Sequence, residues 1–158
     1  MQSAAYLGFL SKLELDTHEP ALVEQNLTLA DLAARQFKKL CKTMRRLPEP
    51  PSNVELHRVR IHAKRARYAA ELAKPFVGKR AARFAKSAKK LQNLLGIHQD
   101  AVLAEQYAQD LDEQVPGERA ALVAGLLVAR AEHRREDVRK RFRTVWKKVK
   151  KRGRKAWG

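Results

Sequence analysis

The chain has 158 residues, and 34 lysines and arginines against 17 aspartates and glutamates give a formal net charge of +17 with the five histidines neutral. This length predicts one domain, and 44% hydrophobic residues can fill one core, which excludes a wholly disordered chain. The longest uncharged stretches, such as residues 120–129, fall short of the roughly 20 apolar residues that span a bilayer. Residues 1–15 lack the basic start and cleavage site of a secretion signal. We therefore expect a cytoplasmic protein.

Signatures of cofactor and metal chemistry are missing from the sequence. Cys41 is the only cysteine, so neither an internal disulfide nor a cysteine-based metal cluster is expected. The seven glycines form no nucleotide-binding fingerprint. His57 and His62 stand five residues apart, which differs from the i, i+4 spacing of a helical metal pair. We expect no metal site, no cofactor and no catalysis.

Helical periodicity runs through nearly the whole chain, and no alternating strand pattern interrupts it. The first predicted helix begins at a capping box, Thr28 to Asp31, and ends at Leu47 before a proline cluster. A second capping box, Ser52 to Glu55, begins a helix that we expect to end near Ala73, because Pro75 disfavours helical geometry before it. Residues 1–16 could form the remnant of a preceding helix.

Three further helices follow in the predicted order. Residues 79–95 form a helix with Gly96 as its C-cap, residues 99–114 form another, and a long last helix runs from residue 118 past Val149. The predicted fold is therefore all-α, an antiparallel bundle of four to five helices with one long C-terminal helix. We expect one domain over residues 1–150 and a basic C-terminal tail over residues 151–158.

Charge is concentrated in particular segments of the chain. Residues 57–90 contain 12 basic residues and one acidic residue, Glu71, and residues 134–155 contain 13 basic and two acidic residues. Residues 100–118 contain six carboxylates and no lysine or arginine. This segregation favours a polyanionic partner, because charge that served only solubility would be scattered.

The second helix carries the clearest pattern. Four of its residues repeat at spacings of 3, 4 and 3, and they form a row of about 15 Å beside the apolar seam: His57, Arg60, Lys64 and Arg67. Arg58, His62 and Arg65 add an outer basic row. A solvated face normally intersperses glutamates with lysines, and residues 57–70 contain no acid. The row therefore predicts contact with an extended chain of phosphates.

The following helix repeats this arrangement with Lys79, Arg83, Lys86 and Lys90. If the two helices are antiparallel neighbours, their basic rows can flank one groove. The cations near the end of the last helix allow two interpretations: further contact with a polyanion, or a solvated helix terminus.

Two sequence strings carry a family resemblance. The residues HRVRIHAKRARY at 57–68 and LQNLLGIHQD at 91–100 resemble the CHAD family, the conserved histidine α-helical domain. The histidine-bearing helix occurs once here and looks like the second of the two copies in that family, so the chain is similar to its C-terminal half. The resemblance implies an all-helical double bundle that binds inorganic polyphosphate. The implied polyphosphate-binding residues are His57, Arg60, Lys64, Arg65, Arg67, Tyr68, Arg83, Lys86 and Lys90.

The leading hypothesis is non-catalytic binding of inorganic polyphosphate through a basic helical surface, with targeting to polyphosphate granules as the corresponding role. The alternative is a basic helical protein that binds RNA or DNA, because a charge of +17 attracts any phosphate polymer. We also expect a homodimer in which two copies of the row from His57 to Arg67 lie near one another, since a single copy of the bundle leaves the family's inter-bundle surface uncovered.

Overall fold

The computed structural model describes residues 27–115 and 117–158, which form four helices. They are α1 (Leu29–Arg45), α2 (Asn53–Val77), α3 (Lys79–Gln114) and α4 (Glu118–Trp157). The predicted all-α bundle with a long C-terminal helix is confirmed. The helix expected within residues 1–16 lies outside the described residues.

Both predicted capping boxes are present. Thr28 and Asp31 exchange side-chain and backbone hydrogen bonds at the start of α1, and Ser52 and Glu55 do the same at the start of α2. These bonds favour the ionised carboxylates, so the pKa of Asp31 and that of Glu55 are both lowered. Each cap satisfies backbone N–H groups that the first turn of a helix leaves free.

Two predicted helix boundaries are wrong. The helix that was expected to end near Ala73 continues to Val77, because Pro75 falls in its last exposed turn, where water can reach the freed carbonyl. The helices predicted over residues 79–95 and 99–114 are one helix. Buried Leu91, Leu95 and Ala101 continue the seam across Gly96, and this packing outweighs the cost of about 1 kcal/mol for an interior glycine.

The helices run up, down, up and down around one core. Contacts of α2 with α1 and α3, and of α4 with α3 and α1, complete the ring. The narrow seam of α2 is buried as predicted, and it consists mainly of alanines. Larger side chains fill the centre, where Phe37 and Phe84 meet edge to face at 5.4 Å between ring centroids.

The basic segment predicted as a tail over residues 151–158 continues α4 to Trp157. The Trp157 indole packs edge to face against Phe84 at 6.1 Å, and Gly153 lies directly beneath Phe37. A methyl group at position 153 would overlap that phenyl ring. The end of α4 is therefore packed against the core while its lysines and arginines face outward.

His98 is the one buried polar or charged residue of the described core, with 2% of its surface exposed. Its pKa is lowered from 6.5 to about 4, mainly because burial disfavours the imidazolium, with repulsion from Arg139 and Arg135 adding to the effect. The folded protein therefore holds His98 neutral at pH 7.

We predict that stability falls as the pH decreases through the range from about 7 to 5, because the unfolded chain binds a proton at His98 with an ordinary pKa and the folded chain does not. The loss attributable to this residue is about 2 kcal/mol. Urea unfolding of the wild type and of His98→Leu across this pH range measures it. Equal pH dependence in the two proteins would contradict the prediction, and His133→Gln, at an exposed position, is the control.

Candidate polyanion-binding surface

The row of four residues on α2, which we name the α2 stripe (His57, Arg60, Lys64 and Arg67), lies along the contact with α3. Nδ1 of His57 donates to Oε1 of Gln99 at 3.0 Å, and Nη1 of Arg67 donates to Oε1 of Gln92 at 3.1 Å. These two bonds show that α2 and α3 are antiparallel, with the stripe along the side of α2 that meets α3. The stripe is therefore supported by side chains of the neighbouring helix.

His57 is exposed, and its bond to Gln99 fixes which of its nitrogen atoms is available. An amide oxygen only accepts hydrogen bonds, so Nδ1 carries the proton in this bond. Nε2 remains available for another partner. In the protonated ring, Nε2–H can donate to a phosphate oxygen.

Arg60 and Arg67 are half-buried, in contrast to Lys64. Nε of Arg60 is buried without a hydrogen-bond partner and lies over α3 at Gly96, 3.7 Å from the point that a Cβ atom there would occupy. Only 14% of the Arg67 side chain is exposed, and its Nε lies 3.2 Å from Oε1 of Glu71. Both guanidinium groups are thus held close to the helix surfaces.

Tyr68 lies beside the α2 stripe. Its ring stands 4.3 Å from the Arg67 guanidinium carbon and 5.9 Å from Nζ of Lys64. Cation–π attraction of this kind holds the two cations next to each other despite their like charge. The predicted site residue Tyr68 is therefore placed with the stripe, whereas exposed Arg65 belongs to the outer row beside His62.

The outer basic row faces α1 and so lies apart from the stripe. Arg58 and His62 line a shallow groove with Lys39 and Lys42 of α1 and with Arg46, the C-cap of that helix. The pKa of His62 is lowered, first by burial and then by the neighbouring cations Arg65, Lys39 and Arg58.

The predicted residues of α3 lie in a different groove. Arg83, Lys86 and Lys90 line a groove between α3 and α4 with a volume of about 1180 Å³. Its floor contains the apolar residues Leu94 and Val145. We name this feature the α3/α4 groove. The cations that α4 contributes to it are Arg141, Lys148, Lys151 and Arg152.

Sequence reasoning left the roles of these α4 cations open and did not name them as site residues. Arg141, Val145, Lys148 and Arg152 repeat at spacings of 4, 3 and 4, which places them on one face of α4. That spacing is visible in the sequence and could have assigned these residues to one face of the helix. A second basic pocket, lined by Arg80, Arg83, Arg152, Arg154 and Lys155, continues the groove to the end of α4.

The two basic rows do not flank one groove, contrary to one arrangement that the sequence allowed. The α3 residues that meet the α2 stripe are Gln92, Gly96 and Gln99, whereas Arg83, Lys86 and Lys90 turn toward α4. The rows lie on two sides of α3. Lys89 is exposed, three residues before Gln92 and three after Lys86, so it connects them across the outer face of α3.

Acidic side chains are scarce on this surface. None of the residues that line the α3/α4 groove is acidic, and in the α2 stripe Glu71 pairs with Arg67. Within residues 27–115 and 117–158, no group of three or more histidine, cysteine, aspartate or glutamate side chains could hold a metal ion. The Cys41 thiol adds no negative charge, because burial raises its pKa. The surface therefore offers cationic and hydrogen-bond donor groups to an anion.

Comparison with known families agrees with this surface. The family model of the CHAD domain matches residues 1–109, more than two thirds of the chain. The chain belongs to the CHAD family. The CHAD domain is associated with polyphosphate binding. Searches of curated proteins and of solved structures found no match.

The match spans part of the architecture described above. It contains α1, α2 and the first 31 residues of α3, and it ends before α4. The α2 stripe and the α3 residues of the groove fall inside the CHAD match, while the four groove cations of α4 fall outside it. None of the described helices is long and apolar enough to cross a membrane.

Proposed function

We propose that this CHAD domain binds inorganic polyphosphate without catalysing its conversion. The observation that carries the proposal is that the α2 stripe and the α3/α4 groove lie on two sides of α3 with exposed Lys89 between them. One phosphate chain can cross α3 and contact both sides. Binding of this kind would serve to place the protein on polyphosphate granules in the cytoplasm.

The geometry suits a long flexible polyanion better than a compact anion. The α2 stripe extends about 15 Å and the α3 lining of the groove, from Arg83 to Ile97, about 21 Å at the helical rise. Half-buried Arg60 and Arg67 supply oriented donors, whereas exposed Lys64 and Lys89 can follow a mobile chain. Each phosphate that pairs with a cation releases counterions, so the affinity should depend strongly on salt.

The positions of the tryptophans favour polyphosphate over single-stranded nucleic acid. Trp146 is buried, and Trp157 packs against Phe84, so neither indole is free to stack on a base. The exposed ring beside the stripe, Tyr68, has the Arg67 guanidinium 4.3 Å from its centre. Recognition of single strands usually combines a basic groove with such aromatic platforms. Nucleic acid remains the alternative ligand that an experiment must exclude.

The direct test is a competition titration at fixed salt. Long-chain polyphosphate, duplex DNA and single-stranded RNA, each at the same phosphate concentration, would displace a labelled polyphosphate chain from the protein. We expect polyphosphate to compete at least about tenfold better than either nucleic acid, a difference of about 1.4 kcal/mol. Equal competition by all three polymers would contradict the proposal.

The variant Lys148→Gln/Arg152→Gln tests whether the α3/α4 groove itself binds the chain. It removes two groove cations that lie outside the buried core. It should weaken polyphosphate binding and lower the salt dependence by up to two counterions. Lys38→Gln/Lys42→Gln on exposed positions of α1 lowers the net charge equally and is the matched control. Equal losses in the two variants would indicate attraction by net charge alone.

Removing the charge of Glu71 should have the opposite effect to removing a groove cation and should strengthen polyphosphate binding. Its carboxylate lies 3.2 Å from Nε of Arg67 and would repel a phosphate chain bound on the α2 stripe. We predict that Glu71→Gln strengthens polyphosphate binding by about two- to fivefold, equivalent to about 0.5–1 kcal/mol. Isothermal titration calorimetry at low salt measures the change.

The control for Glu71→Gln is Glu136→Gln. Glu136 is also exposed and also pairs with a cation four residues away, but that cation, Lys140, belongs to neither the stripe nor the groove. The two substitutions change the net charge equally. An equal gain from both would show that the local position of Glu71 has no part in binding.

A further inference from the structure

The far ends of α3 and α4 extend beyond the four-helix core. The core cluster reaches Leu95 on α3 and Val138 on α4, and α2 begins one turn before His57, which contacts Gln99. We name the remaining antiparallel helix pair, residues 99–131, the distal arm. Its α3 part is about 22 Å long at the helical rise. The arm therefore has two helices where the rest of the bundle has four.

Within the described part of the arm, the buried side chains are small. Ala101 and Ala108 on α3 and Ala124 and Ala131 on α4 are buried between the two helices. Glu105 pairs with Arg135 near the base of the arm. Alanine packing brings the helices close together but leaves the larger apolar side chains of the arm without a place in that contact.

Those larger side chains are exposed. On α4, Leu122 and Leu126 are 65% and 63% exposed, and Val123 and Leu127 are exposed beside them. On α3, Tyr107 is 71% exposed, and Leu103 stands one turn before it. Spacings of three and four residues make these side chains neighbours on each helix. On α4 four such neighbours form one apolar surface, and an exposed surface of this kind marks an interaction site.

The charge of the arm differs from that of the rest of the chain. The arm holds six of the 17 acidic residues but only two of the 34 basic residues, Arg119 and Arg130. It is thus net negative on a chain of charge +17. Two copies that meet at any other part of the surface would bring dense cationic helices together. A contact between two arms therefore opposes less like-charge repulsion than a contact between two of the cationic faces.

We infer that the distal arm is a self-association surface, on which the arm of a second copy packs in a twofold-symmetric contact. Each two-helix arm covers the exposed leucines of the other, and the pair forms an intermolecular four-helix bundle. This contact differs from the homodimer expected from the sequence, in which two copies of the α2 stripe lie near one another. The α2 stripe and the α3/α4 groove of each copy lie on the four-helix part and stay outside the contact.

Sedimentation equilibrium of the full chain tests this inference, with Leu126→Glu as the variant. The wild type should dimerise, and raising the salt concentration should strengthen the dimer because it screens repulsion between the two net-positive copies. Leu126→Glu should raise the dimer dissociation constant at least about tenfold, because it places a carboxylate in an apolar contact.

Val54→Glu on α2 is the matched control, because Val54 is similarly exposed at 67% but lies outside the arm. Far-ultraviolet circular dichroism of both variants should equal that of the wild type. A spin label at Leu126→Cys in a Cys41→Ala background should give one short inter-label distance if the contact is twofold-symmetric.

Three outcomes would overturn the inference. A wild-type protein that stays monomeric at all salt concentrations would show that the arm does not self-associate. Association that salt weakens would indicate an acidic arm bound to a cationic surface of another copy, and the mass would then grow without closing at a dimer. Equal effects of Leu126→Glu and Val54→Glu would place the contact elsewhere.

Discussion

The alanine seam of α2 is the packing feature on which the binding surface depends. From Ala63 to Ala73 the buried side chains of this helix are alanines, so α2 can lie close to its neighbours. The long side chains beside that seam then reach across the surface of α3. The contact of Arg67 with Gln92 is a direct consequence of this close approach.

The charges on the packed helices are the basis of the proposed polyanion binding. Folding gathers cations on the outer faces of α2, α3 and α4 and places few carboxylates among them, of which Glu71 pairs with Arg67 and Asp137 with Arg141. Like charges at helical spacing repel each other by a few tenths of a kcal/mol per pair. The fold tolerates this repulsion because the core, the caps and the α3–α4 contact stabilise the bundle independently. A bound polyanion would supply the counter-charge that the protein itself lacks.

The sequence predicted those features that depend on local pattern. The capping boxes at Thr28 and Ser52, the α2 seam and the long last helix follow from residue types and 3.6-residue periodicity. The break predicted at Gly96 was wrong because tertiary packing of Leu95, His98 and Ala101 overrides the low helix propensity of one glycine. The α4 half of the groove was not assigned, since the rotation of α4 relative to α3 is a tertiary property. The same reason explains why the sequence could not place the rows of α2 and α3 on two sides of α3.

The measurement that tests the central claim most directly compares chain lengths of polyphosphate on variants of each side of α3. If one long chain contacts both sides, Arg60→Gln/Lys64→Gln and Lys148→Gln/Arg152→Gln should each weaken long-chain binding at least about tenfold, because either loss removes the gain from linked sites. Tripolyphosphate, which is too short to bridge the two sides, should lose no more than about twofold in either variant. Equal losses for long and short chains, or a long chain insensitive to one of the variants, would contradict a single surface that crosses α3.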